Sequence, residues 1–113
     1  MTSEGLILVD DKYQENVADV LDKVKGVSTL PVKYLLNTHN HTDHAGGNES
    51  FVKLTEVIAH RNVRANFLEN KQPGAPRVTF KDEASVFLGG TEVRAYHSGR
   101  GHTDGDTVIY FPI

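Results

Sequence analysis

The 113-residue chain contains no cysteine. That excludes disulfides and thiolate metal sites, so any bound metal must be held by nitrogen and oxygen; the redox compartment is left open. Long apolar runs are also missing. No stretch approaches the ~18 residues of a membrane span, and the opening Met1-Thr2-Ser3-Glu4-Gly5 lacks the basic region and apolar core of a signal peptide. The expectation is a soluble chain, cytoplasmic or periplasmic, with no membrane partner. A basic stripe is absent too: 12 basic and 15 acidic residues are spread fairly evenly, for a net charge of −3. Nucleic acid is therefore not an expected partner. With 38% apolar residues, the chain is long enough for one modest core, which makes residues 1–113 one domain or part of one.

Histidine is what the chain does have, and in a particular place. His39-Asn40-His41-Thr42-Asp43-His44 puts four candidate metal ligands in six residues. A second fragment, Gly101-His102-Thr103-Asp104-Gly105-Asp106, supplies one more histidine. Four of the chain's six histidines fall in these two segments, a clustering that a merely polar, solvated loop does not explain. His39 and His41 are two apart, so in extended backbone both rings project to one side. His102 would complete a three-histidine face with a fourth position left for water, the arrangement of a catalytic zinc; structural zinc is closed by four protein ligands. Asp43 and His44 would point the other way and serve a second metal. With one metal only, Asp43 would instead orient the nucleophile or shuttle a proton, which makes it the catalytic candidate.

The surrounding pattern places these ligands on loops. Residues 5–10 form a short apolar run, the mark of a buried strand. Asp11, with Gln14 three residues on, reads as a helix start, and Val17, Val20, Leu21 and Val24 follow at helical spacing up to a stop at Gly26. Pro31 introduces a strand at 32–36, just before the histidines. A helix over 48–54, a strand over 56–60 and a helix over 62–69 follow. Strand and helix thus alternate, which predicts parallel strands joined by crossovers. Beyond the turn-rich residues 72–76 the pattern changes. Gly89-Gly90 between two alternating strands predicts a hairpin, and 107–111 a last strand.

His39-x-His41-x-Asp43-His44 followed by Ala45-Gly46-Gly47-Asn48 resembles the metal motif of the metallo-β-lactamase superfamily. Leu8-Val9-Asp10 resembles its early strand, and residues 99–107 resemble the loop that carries its third histidine. The resemblance implies an α/β fold, an αββα sandwich with the metals at one edge, of which this chain carries the first half. It implies that His39, His41 and His102 hold one zinc, that Asp43 and His44 contribute to a second, and that Asp10 sits behind the metal loop. The alternative for Asp10 is a carboxylate flanking the helix. The implied activity is zinc-dependent hydrolysis of a small-molecule amide, ester or thioester by metal-activated hydroxide. Two other readings are an inactive metal-binding half-module acting in assembly and an iron-dependent redox relative; the diiron relatives carry Glu where this chain has His41. A half sandwich leaves an apolar sheet face uncovered, so a homodimer, a swapped assembly or a partner chain is expected to cover it. His60 and His97 are read as structural, Asp104 and Asp106 as loop caps, and Arg100 as a surface residue.

Overall fold

Strand β2 (Val32–Leu36) sets the layering, because its neighbouring leucines face opposite ways. Leu35 is fully buried among Val17, Phe51 and Val57 on the helix side, and Leu36 is buried on the other side among Ile58, Phe80, Val86, Val93 and Ala95. The computed structural model describes residues 2–97 and 105–112. Four parallel strands, β1 (Leu6–Val9), β2, β3 (Glu56–His60) and β4 (Val78–Phe80), pair in chain order. Between them run α1 (Val17–Val27), entered through a 3-10 turn at Gln14–Asn16, the short α2 (Thr42–Ala45) and α3 (Asn48–Phe51), and α4 (Arg61–Glu69). Strands β5 (Glu83–Leu88), β6 (Thr91–Tyr96) and β7 (Val108–Tyr110) form an antiparallel sheet in the same order. Its inner residues Val86, Val93 and Ala95 pack on the parallel sheet, while Phe87, Tyr96, Val108 and Tyr110 lie exposed on its outer face. Helices, parallel sheet and antiparallel sheet are thus three successive layers of the expected sandwich.

Strands β2 and β3 and the Gly89-Gly90 hairpin lie where the sequence pattern predicts them. Two elements differ. Strand β4 was not expected: three residues are too few to show a period, and it exists because β3 offers it a parallel edge, with His60 opposite Phe80. Asp11 does not cap a helix. The chain reaches its first helical turn only at Gln14, and Asp11 is instead buried, 1% exposed, beneath the junction of α2 and α3.

That junction is built from close contacts. The Asp11 Oδ1 accepts the Gly47 N–H at 3.0 Å, and the Asp11 N–H donates to the His44 carbonyl at 2.8 Å. A Cβ on Gly47 would sit 2.8 Å from the Asp11 carbonyl oxygen and 2.9 Å from its Cγ, so no larger residue fits there. Farther in, Asn37 and Asn48 exchange side-chain amide bonds of 3.1 and 2.6 Å, both wholly buried. Asn37 ends the run of β2 and Asn48 starts α3, so this pair closes the base of the segment that carries the histidines.

Two outcomes follow for stability. Leu36→Ala should lower the unfolding free energy by about 2–5 kcal/mol in urea titrations, because it empties the interface between sheets; Leu54→Ala, 62% exposed, should change it by less than about 0.5 kcal/mol. Burial, helped by the neighbouring Asp10 charge and opposed by the Gly47 N–H, pushes the Asp11 carboxyl from its ordinary 3.8 up to about 7. Between those values the folded chain holds a proton that the unfolded chain has released. Stability from this group is therefore full below about pH 4, falls as pH rises, and levels off above about pH 7, by on the order of 3–4 kcal/mol in all. The Asp11→Asn variant, measured in chelator, should gain on the parent from pH 4 to about pH 7 and hold its advantage above that. A gap between the two that stays constant with pH would show that Asp11 does not titrate in this range.

Candidate metal centre

The end of β2 delivers Thr38 and His39 to the sheet edge, and α2 begins three residues later with His41 as its N-cap. This bend is what gathers the ligands. The rings of His39 and His41 meet edge to face, 5.0 Å between centroids, as their i, i+2 spacing predicts. Ligand atoms of His39, His41 and Asp43 all lie within 4.8 Å of one another. Asp43 and His44 occupy the first turn of α2 rather than an open loop. That turn brings Asp43 toward the two histidines while leaving its carboxylate 3.7 Å from His44 Nε2. The His44 ring in turn lies 4.3 Å from that of His39. His102, the expected third histidine, lies outside the described residues, as do Arg100 and Asp104. The chain returns from that segment beside the site, because the Thr107 N–H donates to the Thr38 carbonyl at 2.8 Å.

Asp10 organises the cluster. Its Oδ1 accepts the Thr38 N–H at 2.8 Å, and its Oδ2 lies 2.7 Å from Thr38 Oγ1 and 2.9 Å from His44 Nδ1. An ionised carboxylate only accepts, so Thr38 Oγ1 and His44 Nδ1 both donate to it. The threonine hydroxyl has then spent its single proton. It must accept at its other contact, 2.9 Å from His39 Nδ1, which places the His39 proton on Nδ1. In both His39 and His44 the lone pair is thereby left on Nε2, and the orientation of each ring is fixed by the same carboxylate. Asp10 holds this position in a left-handed backbone conformation, φ 58°, followed by Lys12 at φ 60°. Such conformations cost on the order of 1–3 kcal/mol each and are held by the surrounding bonds. Of the two readings of Asp10, the structure bears out the one that puts it behind the metal loop.

The donor set fits a divalent metal. Ligand atoms 2.0–2.2 Å from one tetrahedral ion stand roughly 3.5 Å apart, within small side-chain rotations of the observed spacing. Burial lowers the affinity of His39 for a proton below the ordinary imidazole range; the neighbouring His44 and His41 add to this, and Asp10 and Asp106 oppose it. A neutral His39 at neutral pH is the form that binds metal. The cluster opens onto a cavity of about 590 Å³ lined by Asn40, His41, Thr42, Asp43, Asn70 and Gln72. A more apolar groove of about 330 Å³ between β1 and α1 is lined by Leu8, Val20 and Val24 and by none of the histidines. Sequence reasoning missed Thr38 as the bridge between Asp10 and His39. Its only local signal was a hydroxyl residue directly before the first histidine.

The family model of the metallo-beta-lactamase superfamily matches residues 4–113. A metallo-beta-lactamase type 2 of Elizabethkingia meningoseptica is 30% identical over 99% of the chain and 45% of its own length. The metallo-beta-lactamase IND-1 of Chryseobacterium indologenes is 27% identical over 99% of the chain and 47% of its own. Among solved structures, the metallo-beta-lactamase from Pontibacter korlensis superposes with a TM-score of 0.91 at 32% identity, covering 99% of this chain and 53% of that one. The chain thus spans about half the length of the relatives it matches. Sequence, strand order and the histidine cluster agree, and the chain belongs to the metallo-beta-lactamase superfamily.

Proposed function

We propose that the chain carries the zinc-binding part of a metal-dependent hydrolase acting on an amide, ester or thioester. The observation that carries this reading is the convergence of His39, His41 and Asp43 in front of a carboxylate that sets the tautomers of His39 and His44. His39 and His41, joined by His102, would hold one zinc; Asp43 and His44 would hold a second. Bound zinc supplies Lewis acidity and brings the pKa of water near neutrality. The chain's own residues do the rest. Asp10 and Thr38 hold the imidazole of His39 in its binding orientation, and Asp10 does the same for His44. Asp43, exposed on the cavity wall, is placed to accept a proton from the attacking water when it is not itself a ligand. Asn40 and Asn70 line the same cavity with amide groups able to hydrogen-bond a substrate carbonyl. The substrate is a small molecule, as the cavity volume admits.

A second reading is a module that binds metal without turnover. Iron is the less favoured occupant, since the family resemblance implies Glu in diiron relatives where this chain has His41.

Competition against a chromophoric chelator should show zinc bound by the parent chain. Affinity should fall more than about 100-fold in His39→Ala or His41→Ala, and about 10- to 100-fold in Asp10→Asn, which removes the acceptor at the second oxygen. Elemental analysis of the purified chain should report zinc over iron. Zinc-loaded protein should hydrolyse a chromogenic cephalosporin, a lactone or a thioester, and chelator should abolish this. Tight zinc with no turnover of any of the three would favour the second reading; no bound metal at all would end both.

A further inference from the structure

The hydrogen bonds of Asp10 and Thr38 fix His39 and His44 and stop there. His41 stands two residues beyond His39, and the residue between them is held from another direction. Asn40 is 8% exposed, and its Oδ1 accepts from Asn66 Nδ2 at 3.3 Å. Asn66 belongs to α4, 26 residues farther along the chain. The carbonyl of the Asn40 amide is thus taken by that helix, which leaves its N–H donors for the cavity the residue lines. On its other side His41 is tied to α2, because its backbone carbonyl accepts the N–H groups of His44 and Ala45 at 3.0 and 2.9 Å.

Helix α4 is a firm support for this bond. Val63 and Phe67 are wholly buried, and they cluster with Ala45 of α2 and Ala59 of β3. The His60 ring caps the helix by accepting the Asn62 N–H at 3.0 Å. Arg64 donates to the Pro76 carbonyl at 2.7 Å and ties the helix to the chain that follows it. Asn66 lies three residues after Val63 and one before Phe67, so it leaves α4 at the border of the buried face. The packing that seats α4 against Ala45 therefore also carries Asn66 to the bend that bears the ligands.

We propose that Asn66 is a positioning residue for the metal centre: by donating to Asn40 it holds the residue between two ligands and sets where His41 stands relative to His39. The inference rests on the zinc reading above. Its physical basis is backbone freedom. Thr38 orients the His39 ring, so the separation of the two rings, 5.0 Å between centroids, depends on the torsions on either side of residue 40. A loose Asn40 would let those torsions wander, and metal binding would have to offset the entropy of fixing them. With the side chain anchored to a packed helix, the pair of ligands is set before the ion arrives.

A double-mutant cycle tests the bond itself. Asn66→Ala removes the donor and Asn40→Ala the acceptor, from two different elements, so either serves if the other folds poorly. In chelator competition each should weaken zinc binding about 10-fold. The double variant should also lose about 10-fold rather than about 100-fold, because the second substitution has no bond left to break. Leu68→Ala, on the exposed side of the same helix, should bind as the parent does. Cobalt-loaded protein should show its visible d–d bands altered alike in the two single variants and the double one and unchanged in Leu68→Ala, a readout that overall stability does not move. Single variants that hold zinc as tightly as the parent, or a double variant that loses about 100-fold, overturn the inference and leave the zinc reading standing. A parent chain that binds no zinc overturns both.

Discussion

The Asp10 carboxylate is the interaction on which the site depends. Three donors converge on its two oxygens: the Thr38 backbone, the Thr38 hydroxyl and the His44 ring. Because the hydroxyl gives its proton to Asp10, it can only accept from His39, so one carboxylate dictates the state of two imidazoles that it reaches by different routes. The backbone at Asp10 takes up an unfavourable conformation to aim it there. Hydrogen bonds to a charged acceptor are worth roughly 1.5–3 kcal/mol each, so three of them outweigh that strain.

The layers explain why the ligands meet at an edge. Parallel strands β1 and β2 end side by side, so Asp10 and Thr38 emerge at the same rim. The antiparallel sheet packs against the opposite face of β2 from α1, through Leu36, and its last strand starts next to that rim at Thr107. Residues far apart in sequence, 10, 38 and 107, are thereby brought to one place by strand register alone. The helices contribute burial through Val17, Phe51, Val63 and Phe67, while α2 alone presents ligands.

Much of this was legible in the residues, and for definite reasons. Strands β2 and β3 carry strong apolar runs between breakers, and the His39–His41 pair follows from the two-residue period of extended chain. What was not legible depended on partners distant in sequence. Asp11 has the local signature of a helix cap, yet burial beneath Gly47 decides its role. Asn37 and Asn48 look like an ordinary strand-end residue and an ordinary helix-start residue until each is seen to satisfy the other's amide. Strand β4 is too short to announce itself. His97 reads as a strand-end residue, yet its ring stacks on buried His60 and its Nδ1 donates to the Asp106 carbonyl, partners that no local pattern announces.

The contact between Gly47 and Asp11 has a consequence for how this molecule can change over generations. Enlarging residue 47 first drives a new carbon into the Asp11 main chain and carboxyl. Shortening residue 11 first strands the Gly47 amide without its acceptor. Either order passes through a worse protein, so the two positions are free to drift only together, and single-step descent leaves both where they are.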